Sequence, residues 1–275
     1  TMAARMLPTP LIDLTDPAAQ LLRGFAALPP RELVTTLRSA RTPTPETWLM
    51  LTRVLITEGH RHEAMDALQQ FGRAAPGDWR TMWYLAVAEL STGRFEEARH
   101  HFDELYDHLP GEAAPKLGLA VACEHIGELE TAARQYRTIW NTDHSFVSAA
   151  FGLARVRIAQ GLWNEAIAVL DTVPELSSLH VHAQAAMVAV LADQHRSIDT
   201  DDFVWAGHRL EQIGLGSEAT DRLAVRVLVA ALLWLETGGR TPDGQDLLGG
   251  AFTEEAVRSN LEERCRALAN RAAVA

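Results

Sequence analysis

Glycine returns in this chain at a fixed interval: Gly59, Gly93, Gly127 and Gly161 each stand 34 residues after the last. Four more columns keep the same register. Leu51, Leu85, Leu119 and Leu153 form one, and Ala64, Ala98, Ala132 and Ala166 another. Leu68, Phe102, Tyr136 and Leu170 are always large, while Thr52, Ala86, Ala120 and Ala154 are always small. A fixed period of this size means one supersecondary unit copied and stacked. Each column has a mechanical task. The glycine ends the first helix of a unit, where a left-handed cap suits a residue without Cβ. The two small columns let paired antiparallel helices approach closely, and the large column fills the space beside them. Such a pair cannot bury its apolar stripe alone, so neighbouring units stack into a continuous core.

The spacing and these residues resemble the tetratricopeptide (TPR) consensus. The expectation is an all-α chain: a TPR right-handed superhelical solenoid with N-terminal linker and capping helices and C-terminal capping helices. Residues 46–178 hold four repeats, 1–45 a Pro-rich linker with short capping helices, and 179–275 a helical extension. Thr44 is placed to cap the first helix and Pro45 to open it, with Trp48 at the start of the array. Pro76 and Pro110 close the first two units. His144 and Ser178 stand at the equivalent positions of the others, so an altered turn is expected around Trp140–Ser145, and Pro174 ends the fourth unit early.

In the flanks, helical composition is confined to Pro17–Leu28 and Pro30–Arg41 on the N-terminal side. On the C-terminal side it covers Leu179–Asp193, Asp201–Ile213, Ala219–Glu236 and Thr253–Ala272, with loop-like Asp199–Asp202 and Thr237–Gly250.

Composition narrows the class of partner. With 25 Lys+Arg against 36 Asp+Glu the net charge is −11, which repels phosphate backbones and anionic lipid heads. No nucleic acid and no membrane insertion are therefore expected. The most apolar run, Leu223–Leu235, is too short to span a bilayer and is broken by Arg226. The opening Thr1-Met2 lacks an apolar signal and reads as a piece of something longer. Cys123 and Cys265 are too few and too distant for a disulfide framework or a Cys-rich zinc site, and they point to a reducing, cytoplasmic setting.

No catalytic constellation is present, so no catalytic residue, cofactor or metal is assigned. Gly238-Gly239 and Gly249-Gly250 lack the context of a phosphate loop, and Ser217 lacks the glycine that a nucleophile elbow requires. Asp199, Asp201 and Asp202 miss the glycine and terminal Glu of a calcium loop and read as a helix cap. The histidine pairs His60/His62, His100/His101 and His180/His182 lack i, i+4 spacing, which favours structural roles over metal ligation. A small metal- or ligand-binding enzyme using these histidines is the competing reading from another class.

The inner face is the candidate binding groove. By register it holds Leu49, Arg53 and Ile56 in the first repeat and Trp83, Val87 and Leu90 in the second. Leu117, Val121 and Glu124 follow in the third, and Phe151, Arg155 and Ile158 in the fourth. A carboxylate-clamp TPR presents Lys and Asn there, so capture of chaperone tails is disfavoured. An apolar groove suits an amphipathic helix or an extended segment from the same chain, a second copy or another protein. The plainer alternative is that part of this face packs on flanking helices.

Beyond the TPR columns, Trp83–Gly93, Pro110–Leu117 and Val147–Arg155 resemble the C-terminal region of the actinobacterial serine/threonine protein kinase G family. Pro8–Asp16 is similar to that family's segment between kinase and TPR domains, and the resemblance covers most of residues 7–175. It implies a soluble kinase with a rubredoxin-like domain and a kinase domain, whose motifs this chain lacks. It also implies a regulatory part that self-associates, as a homodimer, or engages proteins. Those proteins are its own kinase domain, a second copy, or a substrate such as a small forkhead-associated regulator of 2-oxoglutarate and glutamate metabolism. The alternative is a stand-alone TPR adaptor unconnected with a kinase.

Overall fold

The computed structural model describes residue 4, residues 7–193, residue 195 and residues 197–273. Its contacts divide it into two compact units, Thr1–Thr142 and Asp143–Ala275. The division falls between the third and fourth helix pairs.

The first unit opens with α1 (Ala19–Gly24), a 3₁₀ turn (Phe25–Ala27) and α2 (Pro30–Arg38). Three helix pairs follow: α3 (Pro45–Thr57) with α4 (Arg61–Ala74), α5 (Arg80–Ser91) with α6 (Phe95–His108), and α7 (Ala113–Ile126) with α8 (Leu129–Thr142). Thr44 accepts from the Thr47 amide and Pro45 occupies the first helical position, as the sequence dictates. The helices ahead of Pro76 and Pro110 stop at Ala74 and His108. Gly59, Gly93 and Gly127 all adopt φ between +81° and +84°, the left-handed turn that reverses the chain inside each pair.

The repeat columns carry the core. Ala64, Ala98 and Ala132 are fully buried, as are Thr52, Ala86 and Ala120, so backbones meet where the small residues stand. Phe102 and Tyr136 are likewise sealed. Gly118 on α7 lets the Phe102 ring lie directly on its backbone; a Cβ there would come within 2.5 Å of the ring.

The second unit begins with the fourth pair, α9 (Val147–Ala159) and α10 (Trp163–Asp171), joined through Gly161 at φ +74°. The altered turn ahead of it is an Asx turn, with the Asp143 carboxylate accepting the Ser145 amide at 2.7 Å. Helix α10 is only nine residues long and ends before Pro174. Then come α11 (His180–Leu191), α12 (Thr200–Gln212), α13 (Ser217–Glu236) and α14 (Glu254–Ala272). Asp199 and Asp202 form a reciprocal capping box at the start of α12, the role the sequence assigned to that acidic cluster. Residues 237–250, expected as loop, include part of a hairpin of two short strands, β1 (Asp246–Leu247) and β2 (Gly250–Ala251). Leu247, Leu248 and Phe252 are buried by it, and the Phe252 ring meets Phe203 and Trp234 at 5.6 and 6.0 Å. Apart from this hairpin the described fold is all-α, a TPR solenoid.

Candidate interaction surface

The inner helices differ from the outer ones in composition, and that difference decides what the predicted groove is. Helix α7 reads Ala-Ala-Pro-Lys-Leu-Gly-Leu-Ala-Val-Ala-Cys-Glu-His-Ile, apolar around most of its circumference, as a helix buried on several sides must be. Helices α4, α6 and α8 are amphipathic and turn charged residues to solvent. Most of the predicted groove residues are accordingly core. Leu49 is 4% exposed, Trp83 1%, and Leu117 and Val121 2% each, while Val87 lies at the margin with 8%. Ile56 and Leu90 are buried beside them. The Trp83 ring packs edge-on against Phe102 at 5.4 Å. Arg53 and Glu124 remain half-buried at the surface of this face. In the second unit Phe151 and Ile158 are half-buried and Arg155 is exposed.

A cavity of about 590 Å³ lies on the inner face of the first two repeats. Arg53, Ile56, Trp83 and Val87 form its helical wall, and the extended residues Leu7, Pro8 and Thr9 line it from the other side. An extended stretch of this chain thus faces the inner helices across the cavity. Further on, the Asp16 carboxylate ties the same N-terminal region to α3 by accepting the Glu46 amide at 3.1 Å.

Polar groups set the electrostatics. The Tyr136 hydroxyl donates to the Glu124 carboxylate at 2.7 Å, which fixes that acid at its place on the face. Glu46 and Arg80, both buried, form an ion pair, and Arg80 also donates to Asp78 at 2.7 Å. Burial opposes the Arg80 charge, but the Asp78 and Glu46 carboxylates outweigh it and hold the guanidinium's pKa above its ordinary value. The sequence reading passed over this network, although a signal was there: Glu46 and Arg80 are 34 residues apart, opposite charges at the same position of consecutive repeats. Glu89 is buried 3.5 Å from the His101 imidazole, and desolvation raises its carboxyl above the ordinary range. Burial pushes the Cys123 thiol up to about 12, which leaves it protonated and inert. Among the described residues no three His, Cys, Asp or Glu side chains converge as a metal site requires, and no helix is long and apolar enough to cross a membrane. The His180 ring binds the Val173 carbonyl, a structural role.

Comparison with known proteins fits this arrangement. The family described as protein kinase G tetratricopeptide repeat matches residues 1–274. The serine/threonine-protein kinase PknG of Mycolicibacterium smegmatis is 32% identical over 278 residues, covering 96% of this chain and 36% of the relative. That of Mycobacterium leprae is 33% identical over 276 residues, with the same coverage. The chain thus spans about a third of the length of these curated relatives. Among solved structures, a tetratricopeptide repeat protein from Parabacteroides merdae superposes with a TM-score of 0.51 at 13% identity, over 77% of this chain and 81% of its own.

Proposed function

Because the chain belongs to the protein kinase G tetratricopeptide-repeat family, we propose that it is the protein-interaction and regulatory part of a cytoplasmic serine/threonine protein kinase, docking protein segments on its inner face. The chain itself is a TPR domain and not a catalytic kinase domain. The observation that carries the docking reading is the cavity of about 590 Å³ that Arg53, Ile56, Trp83 and Val87 line on one side and Leu7, Pro8 and Thr9 on the other. An open cavity of this size, walled by helices on one side and extended chain on the other, has the shape to take a polypeptide segment. The buried apolar residues serve as its floor, and the recognition elements are those still reached by solvent: Arg53, Val87 and Glu124 on the first unit, with Phe151 and Arg155 a separate candidate patch on the second. The occupant is a segment of the kinase domain, a second copy or a protein substrate.

The test uses the intact polypeptide from the source cell. It is expected to be far larger than 275 residues and to carry kinase activity. Arg53→Glu together with Arg155→Glu is expected to raise the KM for a protein substrate or to shift the sedimenting species, while leaving phosphorylation of a short peptide unchanged. An endogenous product no larger than this chain would favour the stand-alone adaptor. Unaltered substrate KM and sedimentation in the double variant would exclude the inner face as the docking surface.

A further inference from the structure

A second recess opens on the other side of α5. Thr81, Met82 and Leu85, which the helical pitch turns away from Trp83 and Val87, line a largely apolar cavity of about 500 Å³ together with parts of α4 and α6. Trp79, 39% exposed, stands at its rim. The recess exists because α4 carries glycine at position 72. One repeat later the same position is Tyr106, and two repeats later Trp140, which is 3% exposed. The next repeat therefore displays the filled form of the site. There the Tyr106 ring lies under the Lys116 ammonium, 5.5 Å from Nζ to the ring centre, and Lys116 is the repeat equivalent of Met82. At the recess Gly72 and Met82 stand where that ring and that cation are, and the His101 and His108 imidazoles line the α6 side. Two carboxylates line it. Asp78 is engaged by Arg80, whereas no ion pair among the described residues engages Glu104.

We propose that this recess docks a partner polypeptide presenting an aromatic side chain beside a lysine or arginine. The ring occupies the space that Gly72 leaves open, and the cation meets Glu104. The site reproduces between two chains the pairing that Tyr106 and Lys116 make within one. The net charge of −11 favours approach of a basic segment, and rigid rings are effective anchors because little entropy is lost on burying them. The surface is separate from the inner face and stands whether or not that face binds.

The probe is a dye-labelled peptide of four Lys-Trp repeats, titrated with the protein and read by fluorescence anisotropy. Saturable binding is expected, and Gly72→Tyr is expected to weaken it about ten-fold or more. A Cβ at Gly72 would meet only Thr81, at 3.8 Å, so the variant is expected to fold with an unchanged or higher Tm. Glu104→Gln is expected to weaken binding about three-fold, and ¹³C-labelled Met82 methyl to shift on addition of the probe. Lys-Ser and Glu-Trp peptides of equal length are expected to bind at least about ten-fold more weakly. Binding that survives Gly72→Tyr, equal binding of the Lys-Ser peptide, or loss of binding in Arg53→Glu alone would each overturn the proposal. So would a concentration-dependent dimer that Gly72→Tyr dissociates, since the occupant would then be a second copy.

Discussion

Gly118 and Glu89 show what single atoms decide in this fold. The Phe102 ring rests on the Gly118 backbone, and both are sealed from solvent, so neither can yield cheaply. Gly118→Ala gains helix propensity of about 1 kcal/mol yet forces a methyl against the ring, and overpacking of this kind costs about 1–3 kcal/mol. The clash is expected to win, lowering stability in urea titration; an unchanged or raised midpoint would mean that the ring moves freely. Glu89 is a different case. Burial raises its carboxyl above the ordinary 4.5, and the charges of His101 and Arg94 offset this only in part. A raised folded-state pKa contributes stability below the unfolded value and loses it as pH rises through the folded one. Glu89→Gln is therefore expected to raise the Tm at neutral pH, with the gain fading as pH falls through the raised folded-state value and gone below 4.5. Thermal melts across that range check it, and a difference independent of pH would exclude Glu89 as the titrating group.

At the scale of elements, the Glu46–Arg80–Asp78 network joins the starts of α3 and α5, and Glu46 and Arg80 are too well buried to stand alone. Arg80→Ala leaves the Glu46 charge without a partner in the core, a change that costs about 3–5 kcal/mol, whereas Glu46→Gln with Arg80→Met is expected to cost clearly less than the sum of the single changes. Additive single and double variants in a denaturation cycle would show that the pair is not coupled. The network also marks how far the sequence could be read. Repeat register, helix ends and caps were legible because the columns, Thr44-Pro45 and Asp199 act locally, within a turn or two of backbone. The C-terminal helices were legible for the same reason, from periodicity alone. The hairpin at Asp246–Ala251 was not, because strands two residues long carry no alternation to detect. Nor was the depth of Leu49, Trp83, Leu117 and Val121. Register places these residues on the inner face, but how deeply each is buried depends on distant residues packed around it, which local patterning does not record. The cavity behind α5 was hidden in a similar way, since an absent side chain becomes a recess only once its neighbours are in place.

Across the whole molecule the surplus of acid over base, 36 against 25, sets which encounters are productive before any contact forms. A field of this sign slows approach to polyanions and speeds approach to cationic segments, and salt screens it over a Debye length of about 8 Å at physiological strength and about 3 Å at 1 M. The exposed face of α6 adds to it, with Glu96 and Glu97 in its first turn. A labelled DNA duplex is accordingly expected to show no anisotropy change with protein in the tens of micromolar, at low salt or at physiological salt. Polylysine is expected to bind at low salt and to be released as salt is raised, because contacts made by charge alone weaken with screening. A partner seated in an apolar recess behaves otherwise: its on-rate falls with salt while its off-rate changes little, since burial and not charge retains it. Stopped-flow association of the Lys-Trp peptide at several salt concentrations separates the two. An off-rate that climbs in step with the fall in on-rate would mean that the acidic surface alone captures the peptide, and that shape contributes nothing to its retention.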